Sequence, residues 1–165
     1  MTDSTGPAEV AGPDALLTRV FALAWEAREA GDHPFGALLA VDGAIVAEAR
    51  NRVTSGTDIT AHAETELVRV LEGAGNLHLL GDGVVYASCE PCPMCVGALF
   101  WAGARHVVFG LSSSRLGELA ARPGEDPDGF SITAAEIAGR ATPYLRVDGP
   151  HREDDAAQAH AGFWT

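Results

Sequence analysis

The chain has 165 residues, of which 47% are hydrophobic, and 23 acidic against 11 basic side chains give it a formal net charge of −12 at pH 7. This length and hydrophobic content fit one domain with a single buried core. The acidic excess disfavours phosphate backbones and anionic membrane surfaces as partners, and no apolar run approaches the roughly 18 residues of a membrane span.

The N-terminal segment differs in composition from the rest of the chain. Residues 1–13 combine Pro, Gly, Ser and Thr and lack the basic start and apolar run of a secretory signal. We therefore expect a flexible leader at residues 1–13, a single domain at residues 14–165 and a cytoplasmic location.

The first part of this domain predicts a helix followed by a hairpin. Apolar side chains recur at helical spacing over residues 14–30 behind Asp14 as a cap, and Gly31 ends the run. Asp42-Gly43 then separates two apolar segments, residues 37–41 and 44–49. This dipeptide tolerates positive φ at both turn positions and indicates a tight hairpin between two strands.

The rest of the domain continues to alternate between helix and strand. A second helix starts near His62 and ends at Gly73. Residues 112–130, rich in Gly, Pro and Asp, are interpreted as a loop that contributes to substrate specificity together with the C-terminal tail. The other predicted elements are a strand at 84–87, a helix at 96–102, a strand at 107–109, a capping box formed by Thr133 and Glu136, a strand at 144–147 and a helix at 153–163. The order predicts an α/β sandwich with a hairpin at its start.

The cysteines indicate a metal site. Cys89, Cys92 and Cys95 are the only cysteines and fall within seven residues, which leaves no distant partner for a stabilising disulfide. Cys92 and Cys95 project from one face of a helix start, where the positive helix end favours the thiolate. With His62 they give zinc three protein ligands and an open fourth position, as in catalytic sites. A redox pair at Cys92 and Cys95 would leave Cys89 and His62 unexplained.

Glu64 completes a catalytic set. It lies two residues after His62, so it does not easily join the same coordination sphere, but its carboxylate can take a proton from the metal-bound water. The zinc-bound hydroxide would then attack an amine-bearing ring carbon, with Glu64 passing the proton to a ring nitrogen and to departing ammonia. His62-Ala63-Glu64 and the segment from Pro91 to Cys95 together match a zinc deaminase signature, which predicts one zinc ion per chain.

These motifs resemble the cytidine deaminase superfamily, and within it the bacterial guanine deaminase and tRNA-adenosine deaminase branch. The resemblance extends to the segment from Pro34 to Ala37, to Asn51 and to the continuous run from Ser88 to Cys95. It implies a three-layer α/β/α sandwich with a central mixed five-stranded sheet. It also implies that Cys89 lies near the metal without binding it, that Asn51 hydrogen-bonds the base and that Phe35 packs near its ring. The implied substrate-binding residues are Asn51, Phe35, Ala63 and Trp164.

The predicted function is therefore zinc-dependent hydrolytic deamination of a free nucleobase or nucleoside, similar to the guanine deaminases of purine metabolism. Those relatives usually carry an acidic residue in the loop after the fourth strand, where this chain reads Leu111-Ser112-Ser113-Ser114-Arg115. The base thus stays open among guanine, adenine or cytosine derivatives and triazine analogues. Pocket shape decides between them.

The resemblance further implies a homodimer. In that family the C-terminal segment closes the pocket with aromatic residues and is sometimes exchanged between subunits. The corresponding end of this chain contains His160, Phe163 and Trp164. The remaining histidines have no partner motif and are interpreted as structural or surface residues: His33, His78, His106 and His151.

Two other functions remain open. A tRNA-adenosine deaminase shares both motifs, although 11 basic against 23 acidic side chains disfavour the gathering of phosphates. A structural zinc module would use Cys89, Cys92, Cys95 and His62 as four closed ligands, but it gives Glu64 no role.

Overall fold

The computed structural model describes residues 11–125 and 129–164 of the chain. Its strands are β1 (Gly36–Val41), β2 (Ala44–Arg50), β3 (Val84–Cys89), β4 (His106–Leu111) and β5 (Arg146–Asp148). They form one five-stranded sheet in the order β2-β1-β3-β4-β5. β1 is antiparallel to β2 and β3, whereas β3, β4 and β5 run parallel, so the sheet is mixed as predicted.

Helices cover both faces of this sheet. They are α1 (Pro13–Glu29), α2 (Ala63–Gly73), α3 (Pro93–Ala102), α4 (Ser113–Ala120), α5 (Ala134–Ala138) and α6 (Glu153–Ala157), with 3-10 turns at Leu77–Gly81 and Gln158–His160. None of the helices in residues 11–125 and 129–164 is both long and apolar enough to cross a membrane.

The alternation of strand side chains separates two layers of core. Leu39 and Val85 point to one face and pack with residues of α2, α3 and α5. Their neighbours Leu38 and Tyr86 point to the other face and pack with residues of α1 and α6. Because successive strand residues face opposite sides, both faces bury apolar surface. The three-layer α/β/α sandwich is confirmed.

The segments that carry the motifs lie together at one end of the strands. Because β1 is antiparallel to both neighbours, its start lies beside the ends of β2 and β3, where Gly36 pairs with Arg50 and Ala37 with Ala87. The Gly36 N–H also donates to Ser88 Oγ at 3.0 Å. A Cβ at Gly36 would lie 2.7 Å from Val20 O, so glycine allows α1 to pack this closely on β1.

Several boundaries differ from the sequence predictions. α1 begins at Pro13, whose fixed φ suits the first helical position, so Gly12 rather than Asp14 is the cap and residue 13 belongs to the helix instead of the leader. Residues 1–10 of the predicted leader lie outside the described residues. The strand predicted at 144–147 is observed at Arg146–Asp148, and the helix predicted at 153–163 is divided into α6 and a 3-10 turn.

The largest departure lies in residues 112–130, which we interpreted as a loop. They contain α4, capped by Ser112, whose hydroxyl accepts from the Arg115 N–H at 3.3 Å. Leu116 and Leu119 of this helix pack on the core beside α1. Packing of these two leucines outweighs the low helix propensity of Gly117, which obscured the helical pattern. Residues 126–128 lie outside the described residues.

Candidate active site

Three side chains with metal-binding atoms converge where the ends of β2 and β3 meet the start of β1. His62 directly precedes α2, Cys92 directly precedes α3, and Cys95 lies in the first turn of α3. His62 Nδ1 lies 3.7 Å from Cys92 Sγ and 3.5 Å from Cys95 Sγ. Among the described residues, these three form the only group of His, Cys, Asp or Glu whose donor atoms, all within 4.8 Å of one another, could hold a metal ion.

The spacing and the chemistry of these donors fit zinc. Tetrahedral Zn–S bonds of about 2.3 Å and Zn–N bonds of about 2.0–2.1 Å place sulfur and nitrogen about 3.6 Å apart. The observed separations of 3.5 and 3.7 Å bracket this value. Two thiolates with one imidazole also leave a fourth position open, as catalytic zinc requires.

Local structure favours an ionised sulfur at this position. A hydrogen bond from Cys95, together with one from His62, lowers the pKa of Cys92 to about 4. The hydrogen bond with Cys92 raises the pKa of His62. Because its thiol donates to the Cys92 thiolate, the pKa of Cys95 is raised. The N-terminal ends of α2 and α3 both face this cluster and add positive potential to it.

Glu64 lies in the first turn of α2, beside this donor set, and is only 7% exposed. Burial, reinforced by the charge of the Cys92 thiolate, raises the pKa of Glu64 to about 6. A carboxyl group with a pKa close to neutral pH both accepts and releases protons readily. The structure thus brings together all four residues that the sequence assigned to metal binding and proton transfer.

Asn51 makes two hydrogen bonds to neighbouring residues. It is buried at the end of β2, and its N–H donates to Phe35 O at 3.0 Å. Its side-chain Oδ1 accepts from the Val53 N–H at 3.0 Å, which stabilises the following turn. Oδ1, the acceptor of the side chain, is occupied in this way. The Nδ2 group, which is the donor, is left to bind a ligand. Ala63, the first residue of α2, is also buried.

Aromatic rings gather beside Phe35 and form what we call the aromatic cluster. Phe35 lies 5.2 Å from the ring of His160 and 6.1 Å from that of Trp164. His33 lies 5.4 Å from Trp164, and its pKa is lowered by burial and by the neighbouring His62. The members of the aromatic cluster are His33, Phe35, His160, Phe163 and Trp164. His33 therefore borders the site, and its position directly before Pro34-Phe35 is the signal that sequence analysis missed.

Asp32 is a second residue that sequence analysis missed. It is fully buried; its Oδ1 accepts from the Thr54 and Ser55 N–H groups at 3.0 and 2.8 Å, and its Oδ2 accepts from Ser55 Oγ at 2.7 Å. Burial alone would raise the pKa of Asp32, but these hydrogen bonds outweigh it and the pKa is lowered. Asp32 thereby fixes the loop that follows Asn51.

We predict that Asp32→Ala lowers the free energy of unfolding by about 1–3 kcal/mol, because it removes a buried carboxylate that accepts three hydrogen bonds from the loop, and hydrogen bonds to a charged group stabilise more than neutral ones. Loosening of the loop should also weaken substrate binding through Asn51. Urea unfolding and the KM for ammonia release measure these two effects. Asp82→Ala, at an exposed position, is the control. If Asp32→Ala has the same free energy of unfolding as the wild type, Asp32 does not stabilise the loop.

Residues 13–111 match the family model described as the cytidine and deoxycytidylate deaminase zinc-binding region. The chain belongs to this family. The match spans the three metal-binding candidates and Glu64. Family membership makes the chain a deaminase, a hydrolase of cyclic amidines, with zinc as its cofactor.

Relatives within this family act on different bases. A probable cytosine deaminase of Schizosaccharomyces pombe is 38% identical over 151 residues, which cover 91% of this chain and 91% of the relative. A guanine deaminase of Bacillus subtilis is 44% identical over 97 residues, 58% of this chain and 62% of the relative. The solved guanine deaminase of Nitrosomonas europaea shares the fold, with a TM-score of 0.76 and 24% identity over 94% of this chain and 86% of that one.

Proposed function

We propose that the chain hydrolyses the exocyclic amine of a small free nucleobase or nucleoside, with guanine as the first candidate. In this proposal His62, Cys92 and Cys95 hold the zinc ion and Glu64 moves the protons. The observation that carries the proposal is the convergence of one imidazole and two thiols, at zinc-binding distances, beside a buried carboxyl group.

The reaction replaces the amine by an oxygen from water and releases ammonia. When bound, zinc would lower the pKa of a water molecule to near neutral pH. Glu64 accepts a proton from the attacking water and donates it to the ring nitrogen next to the amine-bearing carbon. The same carboxyl group then takes the proton of the newly added hydroxyl and passes it to the amine, so that the C–N bond breaks, a carbonyl forms and ammonia leaves. Its raised pKa, to about 6, suits both directions of transfer.

The other side chains of the site bind and orient the base. The Asn51 amide donates through Nδ2 to a carbonyl oxygen or ring nitrogen, because its Oδ1 is held by Val53. Phe35 and Trp164 provide aromatic surface against which a planar ring can pack. Ala63, between His62 and Glu64, is fully buried in the core beneath these two residues.

Charge and similarity together favour a small substrate. The net charge of −12 opposes the approach of a polynucleotide. The similarity to a guanine deaminase at 44% identity supports guanine, whereas that to a probable cytosine deaminase over 91% of the chain keeps a pyrimidine as the second candidate.

Ammonia release from a panel of substrates tests this proposal. The panel contains guanine, adenine, cytosine, their nucleosides, a triazine analogue and a short tRNA stem-loop, each offered to zinc-loaded protein. We expect release from one free base or nucleoside. Release from the stem-loop alone would contradict the charge argument and favour a tRNA deaminase.

We further propose that the chain forms a homodimer through the outer surface of α2 and α3. These two helices pack on each other, and both carry metal-binding candidates at their first turns. Trp101 of α3 is 85% exposed, and Met94 of α3 and Val70 of α2 also expose apolar surface. A second copy of the chain would bury this surface and reinforce the helices that hold the site.

Trp101→Glu should therefore convert the protein from a dimer to a monomer. Light scattering after gel filtration is expected to give twice the chain mass of 17.1 kDa for the wild type and a single chain mass for the variant. Trp25→Glu, on α1 in the opposite helix layer, is the matched control and should remain dimeric. A wild-type mass of one chain would contradict this part of the proposal.

A further inference from the structure

His160 carries a buried nitrogen atom without a partner. The residue lies in the 3-10 turn Gln158–His160 and is 1% exposed. Its Nε2 has no hydrogen-bond partner among residues 11–125 and 129–164. The other such nitrogen, His106 Nε2, lies at the start of β4. Because β4 is parallel to β3, this is the opposite end of the strands from the metal-binding candidates. His160 is therefore the unpartnered histidine on the side of the site.

The hydrogen bond of the other ring nitrogen decides which proton His160 carries. Trp164 Nε1 lies 3.3 Å from His160 Nδ1, and an indole N–H can only donate, so Nδ1 must be the acceptor. Burial lowers the pKa of His160 to about 4, so the ring is neutral at neutral pH. A neutral ring that accepts at Nδ1 has its proton on Nε2. Nε2–H is thus a buried donor.

The protein holds this ring in place from two sides. Arg28 Nη1 donates to Ala159 O and Ala161 O, both at 2.8 Å, and so clamps the backbone on each side of His160. The His160 ring lies 5.2 Å from Phe35 and stacks on Trp164 at 6.0 Å with an interplanar angle of 12°. The clamp and the stacking preorganise the donor for a ligand.

His160 packs on a residue of the proposed substrate site. Its ring lies 5.2 Å from the ring of Phe35, which is assigned to pack near the base, and the backbone carbonyl of Phe35 accepts from the N–H of Asn51, the other residue assigned to the base. An unsatisfied buried donor destabilises a fold, and a phenylalanine would pack there without that cost. Nucleobases carry carbonyl oxygens and ring nitrogens that accept such a hydrogen bond.

We propose that His160 is a specificity-determining residue that donates Nε2–H to an acceptor on the substrate ring. This inference rests on the proposed function. Together with the Asn51 amide, the His160 donor would bind two acceptor atoms of the same base. A site built to hydrogen-bond its substrate discriminates strongly against analogues that lack the acceptor. His160 therefore selects bases by their acceptor pattern, whereas the zinc site acts on the amine.

Acceptor-deleted analogues test this role. The wild type, His160→Phe and His160→Gln are compared on guanine with 7-deazaguanine and 2-aminopurine, on cytosine with 4-aminopyrimidine and on adenine with 7-deazaadenine. For the base that the wild type deaminates, kcat/KM should fall about 10- to 100-fold in His160→Phe. His160→Gln, whose amide can replace Nε2–H, should recover part of this loss. On the analogue that lacks the contacted acceptor, His160→Phe should match the wild type.

The controls separate a lost hydrogen bond from a damaged fold. A structural defect would lower kcat/KM equally on the base and on every analogue, and that result overturns the proposal. Wild-type kinetics in His160→Phe would overturn it as well and leave the deaminase function intact. Absence of ammonia release by the wild type from every base would overturn the proposed function and this inference with it. His78→Gln, at an exposed histidine, controls for the substitution itself.

Discussion

Glu64→Gln is expected to abolish nearly all ammonia release while zinc stays bound at about one ion per chain. Glutamine has the size of glutamate but cannot accept a proton, so the variant loses the proton carrier and none of the metal-binding candidates. General acid–base catalysis contributes about 10²- to 10⁴-fold to a rate, and Glu64 carries both transfers in the proposed mechanism. Turnover should therefore fall by at least about 10²-fold and by as much as about 10⁴-fold.

Two measurements check this result on the same protein samples. Metal analysis gives the zinc content, and coupled ammonia detection gives the rate. Glu72→Gln, an exposed glutamate farther along α2, is the control and should keep wild-type zinc content and rate. Activity of Glu64→Gln near that of the control would remove Glu64 from the mechanism.

Cys95→Ala is expected to lose zinc, and with it activity, whereas Cys89→Ala keeps both. Cys95 Sγ lies 3.5 Å from His62 Nδ1, within the group of possible metal ligands. Cys89 is buried at the end of β3 and is not part of that group. The loss of Cys89 therefore removes no ligand from the proposed set of His62, Cys92 and Cys95.

The pair of variants also tests the structural zinc module with four closed ligands. That alternative requires Cys89 as a ligand, so loss of zinc in both variants would support it. Loss in Cys95→Ala alone would leave three protein ligands and an open position. Zinc content by metal analysis, with circular dichroism to establish folding, distinguishes these outcomes. Full zinc retention in Cys95→Ala would contradict the proposed donor set.

The metal-binding candidates and the overall fold were predictable because they depend on local patterns. His62 and Cys92 each stand directly before a helix, and this position is readable from the sequence. The hairpin at Asp42-Gly43 was equally readable, since Asp42 and Gly43 both adopt positive φ. Such features depend on neighbouring residues only, and the resemblance to a known superfamily added the arrangement of the sheet.

The parts that were missed depend on contacts between distant segments. Asp32 is important because it accepts hydrogen bonds from a loop 22 and 23 residues away, and nothing around it in the sequence indicates this. The sequence indicated His160 only as part of the C-terminal segment, and its packing on Phe35 depends on the return of the chain across the sheet. α4 was missed because the packing of Leu116 and Leu119 stabilises a short helix that contains a glycine.

Zinc titration into metal-free protein tests the central claim most directly. The protein is stripped with a chelator, and ammonia release from the substrate identified in the panel is followed as zinc is added. Release should be negligible without metal, rise in proportion to added zinc and stop rising at about one ion per chain. Undiminished release from the stripped protein, or protein that binds zinc but releases no ammonia from any member of the panel, would contradict a zinc-dependent deaminase at this site.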